Sequence, residues 1–294
     1  MRFKLKTNDK VVLCKELNVS LYKDLLKSTY GDEVDLPGFL DTIYDILVSL
    51  TGEPISFFQE LSVVELLSCI LQLRINTFGD RTKINLTKEE AKTSLELRID
   101  WIIEDLNVID KSIISKTIEN ENFDIHLEPP TTQRLIEKTD EDYLYFVGGV
   151  TIGDKLISIK TNTDAKLFVD KLPAKIALDI VKHFECVVKE LQNFSFLDRY
   201  GIVEQNFTFV PSAESVLWFT KLVFNEPLDV FYDNLFYLAY LGHLQNSYIE
   251  SCTPGEYMYF VRKLEAIQAQ QRQSDETPNN SQVIGGREEA INDF

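Results

Sequence analysis

Between Val19 and Thr29, Leu21, Tyr22, Leu25 and Leu26 recur at helical spacing, and Gly31 closes the run. Leu40, Ile43, Tyr44, Leu47 and Leu50 make a second amphipathic stripe ended by Gly52. Ser62 and Glu65 form a capping box for a third helix whose body, Val63 to Ile75, is apolar nearly all round. Such a helix belongs at the centre of a core. Ahead of these, Arg2 to Lys6 and Lys10 to Cys14 alternate as two short strands joined at Asn8-Asp9.

The period then changes to two. Lys83 to Leu86 and the alternating run Leu95, Leu97, Ile99, Trp101 predict strands, with the polar tip of a hairpin at Thr87 to Ala91. Phe123 to Leu127 predicts another, stopped by Pro129-Pro130. Gln133 to Tyr143 reads as irregular or a short helix. Phe146 to Ile152 and Lys155 to Ile159 flank a two-residue turn at Gly153-Asp154.

Helices return after Pro173. Ile176, Ile180, Phe184, Val187, Val188 and Leu191 share one face, with charged residues opposite. A short strand is expected at Phe207 to Val210 and a helix at Val216 to Val223. Leu228 to Gly242 and a helix begun by Thr253, Pro254 and Glu256 form an aromatic hairpin. The pattern predicts an α+β fold, mainly helical, with a small central antiparallel β module. The divisions expected are 1–82, a β module at 83–160, a helical region at 161–273 and a disordered polar tail at 274–294. No internal repeat is visible.

The 294 residues can bury a substantial core. The formal charge of −17 disfavours sequence-independent nucleic-acid binding and anionic membrane surfaces. It suits a basic protein partner, and equally a merely solvated surface. Cys14, Cys69, Cys186 and Cys252 are dispersed and form no C-x-x-C, which points to a reducing compartment. Arg2, Lys4 and Lys6 precede no apolar stretch of a signal peptide, and no apolar run reaches the length of a membrane span.

Chemistry is sparse. In Gly148-Gly149-Val150-Thr151-Ile152-Gly153-Asp154-Lys155, Asp154 stands where a phosphate loop needs its lysine. His126, His183 and His243 are scattered and build no metal site. Asp140-Glu141-Asp142 lacks calcium-loop spacing. His183 and Cys186 lie one turn apart, but the cysteine sits among core positions. No catalytic residue, cofactor or metal ligand is assigned. What stands out is aromatic density, with nine aromatics from Phe231 to Phe260. Most read as core. Tyr232, Phe236, Tyr240 and Tyr259 are the candidates for a partner surface.

Segment order adds a resemblance. Five stretches carry it: Lys15 to Leu26 after the N-terminal strands, Leu61 to Gly79, Phe123 to Pro130, Phe168 to Phe194, and Leu235 to Ala266. In that order they resemble the baseplate hub and hub-assembly proteins of T-even-type contractile-tailed bacteriophages. Many members carry a Cys-rich knuckle in the middle hairpin, whereas Asn85 to Ser94 holds no cysteine here. The resemblance implies a non-enzymatic protein made in the host bacterial cytoplasm. It would be a hub component in the virion tail baseplate or an assembly factor. Its partners would be tail or baseplate hub proteins, including the tape-measure protein, in unstated stoichiometry. A chaperone for the tape-measure protein, absent from the mature virion, is an alternative reading. An enzyme without a recognisable motif is another, and it predicts a deep polar pocket.

Overall fold

The computed structural model describes residues 2–8, 10–31, 33–88, 91–137, 141–201 and 209–276. Asp9, the hairpin tip at 89–90, Asp140, Phe207 and the tail from 277 onward lie outside the described residues. The fold is α+β and mainly helical, with small antiparallel sheets.

A two-stranded ribbon, β1 (Arg2–Lys6) and β2 (Val11–Lys15), opens the chain and pairs Arg2 with Lys15. Helices α1 (Val19–Ser28), α2 (Leu36–Thr51) and α3 (Ile55–Gln59) lead to α4 (Val63–Phe78). Alternation puts Leu5, Val12 and Cys14 of the ribbon inside and its charged positions outside. The capping box at α4 forms as expected: the Ser62 hydroxyl accepts from the Glu65 N–H at 3.2 Å, and Glu65 accepts from the Ser62 N–H. Nine residues of α4 are buried, so the nearly all-apolar helix does lie at the centre.

The strands that follow fall into two sheets. A ribbon of β3 (Arg81–Lys88) and β4 (Ala91–Arg98) stands alone. The run expected to continue as strand to Trp101 instead turns at Ile99 into α5 (Ile99–Val108). Ile99 ends the alternating run, but Ile102 and Leu106 follow it at spacings of three and four, and the helix buries all three. At the junction the Tyr200 hydroxyl accepts from the Arg98 N–H at 2.7 Å. A π-helical turn (Ile109–Ile114) then leads into a four-stranded sheet. Its strands are β5 (Lys116–Glu119), β6 (Asp124–Leu127), β7 (Val147–Ile152) and β8 (Lys155–Ser158), in that order across the sheet. The short α6 (Thr132–Ile136) overlaps the start of the stretch read as irregular or a short helix.

Helix α7 (Asn162–Val169) precedes α8 (Ala174–Asn193). Ile176 and Ile180 of α8 pack with Ile125, Leu127, Val147 and Val169 in a small core over the sheet. Val187 and Leu191, further along the same face, join the main core around α4. One amphipathic helix therefore spans both. The main core also takes residues from α9 (Ala213–Val223), α10 (Leu228–Tyr240), α11 (Asn246–Ser251) and α12 (Pro254–Glu276). Helix α12 runs to Glu276, past the point where the polar tail was expected to begin.

Candidate interaction surface

The C-terminal hairpin is fixed by one face of α10. Phe231 and Leu238, seven residues apart, are its buried seam. The Phe231 ring meets Tyr22 of α1 at 5.7 Å and Tyr257 of α12 at 5.3 Å between centroids. Thr253 starts α12 with a capping box: its N–H donates to the Glu256 carboxylate at 2.9 Å, and its hydroxyl accepts from the Glu256 N–H at 3.3 Å.

Polar groups reinforce the seam. The Tyr257 hydroxyl donates to Glu226 at 3.1 Å, and the Asn234 amide points at the same oxygen at 3.4 Å. The Tyr22 phenol lies close to the same carboxylate. Burial pushes the Glu226 carboxyl above the usual range, and burial beside Glu226 pushes up both phenols. Nearby, Arg74 of α4 is buried. Its guanidinium donates to the carbonyls of Val223 at 2.6 Å, Gly79 at 3.0 Å and Arg81 at 3.2 Å, and lies over the Phe78 ring. Burial pushes it down to about 10. This arginine ties α9 and the start of β3 to the central helix.

The opposite face of α10 is open. Tyr232, Phe236 and Tyr240 are 42 %, 61 % and 65 % exposed, and Tyr259 on α12 is 57 % exposed. The Phe236 and Tyr240 rings stack 5.5 Å apart at an 8° angle. Tyr237, Tyr248 and Leu241 are exposed as well. Asp229 and Asp233 share the helix face of Phe236 and Tyr240, by their spacing of four, three and four residues. Of the aromatics weighed between core and surface, Phe231 and Tyr257 are buried, and the four candidates face solvent.

The remaining sequence features resolve into structure. His183 bonds the Ile114 carbonyl at 2.8 Å, and Cys186 beside it is exposed. His126 lies between the Thr117 and Thr151 hydroxyls on the sheet. The glycine run is the β7–β8 hairpin, where a Cβ at Gly149 would press on the Ile157 carbonyl at 3.2 Å. A broad polar groove of about 1110 Å³ runs past Glu60, Glu65, His126, Arg134 and Glu137. Several of its charged groups are engaged within the fold. Glu65 holds the α4 cap, Glu60 pairs with Lys160 at 2.8 Å, and Arg134 donates to Leu144, Val147 and Asn162. Among the described residues, no group of three or more His, Cys, Asp or Glu could hold a metal.

The family model of the T4 bacteriophage base plate protein matches residues 1–192. The chain belongs to this family. No curated protein and no solved structure matches it. Membership makes it a phage baseplate structural or assembly protein, and no helix among the described residues is long and apolar enough to cross a membrane. The match runs from β1 nearly to the end of α8 and takes in the first three stretches of the resemblance and most of the fourth. The aromatic hairpin lies beyond it. The baseplate-family segment and the hairpin nevertheless share one core, through Tyr22, Phe78, Phe224, Phe231 and Tyr257.

Proposed function

We propose that the chain is a non-enzymatic component or assembly factor of the baseplate hub, working through contacts with tail or hub proteins. The observation that carries this is the outward stripe of α10. A helix that already buries one seam leaves four aromatic rings, two of them stacked, on its solvent side. Aromatic side chains of this kind dominate binding energy where proteins meet, because they bury large area at small entropic cost. A scattered exposed aromatic needs no explanation, but a contiguous stripe does. Tyr232, Phe236, Tyr240 and Tyr259 are the anchors in this reading, and family membership supplies the setting.

The test is assembly in infected cells. The parent chain should co-purify with baseplate proteins or their intermediates. Phe236→Ala with Tyr240→Ala should lose that association while circular dichroism stays unchanged. Recovery of the parent chain only as a free species, apart from tails and tail intermediates, would overturn the proposal. Mass spectrometry of purified particles then separates a retained hub component from a factor that leaves before maturation, such as a tape-measure chaperone.

A further inference from the structure

The outward face of α10 has a sign as well as a shape. Between Lys221 and Arg262 the chain contains no lysine or arginine; of the acids in that span Glu226 is held in the seam, Glu250 pairs with Lys23 of α1 and Glu256 caps α12, which leaves Asp229 and Asp233 on the outward face. Asp229 and Asp233 are exposed beside the stacked Phe236 and Tyr240. A face of this kind fits cations whose stems cover aromatic rings and whose heads reach carboxylates.

The same molecule carries such a surface. On the β1–β2 ribbon, alternation sends Arg2, Lys4, Lys6 and Lys15 to solvent together with Val11 and Leu13. Val11 and Leu13 are 56 % and 57 % exposed. The register sets Lys4 opposite Leu13, Lys6 opposite Val11 and Arg2 opposite Lys15, so cations and aliphatics are interleaved on one face. The ribbon packs on α2 and α4, whereas α10 packs on α1, α11 and α12. The acidic aromatic face and the basic aliphatic face are thus separate patches of the surface. The chain already places cations over rings internally, with Lys10 over Phe57, Arg98 over Trp101 and Arg199 over Trp101.

We propose that the occupant of the α10 face is a second copy of this chain, presenting its β1–β2 ribbon. Lys4 and Lys6 lie against Asp229 and Asp233, and Val11 and Leu13 lie on Phe236 and Tyr240. This rests on the reading of that face as a docking surface and names its partner. Two α10 faces meeting each other would set acid against acid. The chain's own segment 277–294 carries one arginine against three acids and is repelled as well. Because the two patches differ, the contact is head-to-tail: it closes when the rotation between copies allows and otherwise grows.

Charge reversal tests the contact on exposed positions that leave the core alone. Sedimentation of the full chain at low salt should give a mass above that of the monomer, falling towards the monomer as salt rises. Asp229→Lys with Asp233→Lys should be monomeric. So should Lys4→Glu with Lys6→Glu. Mixing the two variants should restore association, since each then finds an opposite charge on the other. A parent chain that stays monomeric at low salt would overturn the proposal. So would either variant associating as the parent does, or a mixture that stays monomeric. Circular dichroism of both variants keeps unfolding from being mistaken for lost contact. If the mixture associates but the parent never joins baseplate proteins in cells, the functional reading fails and this contact stands. If the parent joins them while the charge variants behave as the parent does in sedimentation, this contact fails and that reading stands.

Discussion

Glu226 is a carboxylate held by the Tyr257 phenol and the Asn234 amide rather than by a cation. Burial raises its folded-state value above the unfolded carboxyl value of about 4.3. The folded state therefore binds the proton more tightly than the unfolded state. The stability this group contributes is fully present below about pH 4.3 and is lost as pH rises through the folded value. Glu226→Gln keeps an acceptor for Tyr257 and removes the charge. Thermal melts should show the variant gaining on the parent near neutral pH, with the gap closing as the solution is acidified below about pH 4.3. A variant that instead loses most at neutral pH would show that the Tyr257 phenol holds the ionised form.

Helix α10 has two faces with opposite duties, and one substitution on each separates them. Phe231 is fully buried between Tyr22 and Tyr257, so Phe231→Ala leaves a cavity and should cost about 3–5 kcal/mol in urea unfolding. Phe236 is exposed, and Phe236→Ala should stay within about 0.5 kcal/mol of the parent. Equal losses at both positions would show that the outward stripe is packed in solution. Helical spacing made the long elements legible: α1, α2, α4, α8, α10 and α12 all lie where their stripes predicted. The caps of α4 and α12 formed because Ser62 with Glu65 and Thr253 with Glu256 are local devices. What was not legible depended on distant partners. Ile99 belongs to both the alternating run and the helical stripe with Ile102 and Leu106, and packing of that stripe into the main core set the switch from strand to helix. The π-helical turn and β5 have no local signal in Ile109 to Glu119. The outward stripe of Tyr232, Phe236 and Tyr240 could be named from the sequence, while the rings that Phe231 packs against, Tyr22 and Tyr257, followed only from the fold.

At the scale of the whole molecule, charge acts twice with opposite signs. The net charge of −17 makes the compact state repel itself, so screening should stabilise the fold. The same screening should weaken a contact between an acidic and a basic face. Raising salt from about 0.05 to about 0.5 M should therefore lift the melting temperature while lowering the sedimented mass. Both trends moving together would mean that stability and association share one interface.

The contact of Tyr22 with Phe231, and of Phe231 with Tyr257, also sets the timing of synthesis. Helix α1 leaves the ribosome early, yet the rings that cover it are encoded more than two hundred residues later. Contacts of such sequence separation close slowly, and until they close the apolar surface they will hide is exposed. The segment around α1 thus waits, open, until α10 and α12 have been made. A product broken off before α12 lacks the lid of its own core and stays recognisable as unfinished to the cell's chaperones and proteases.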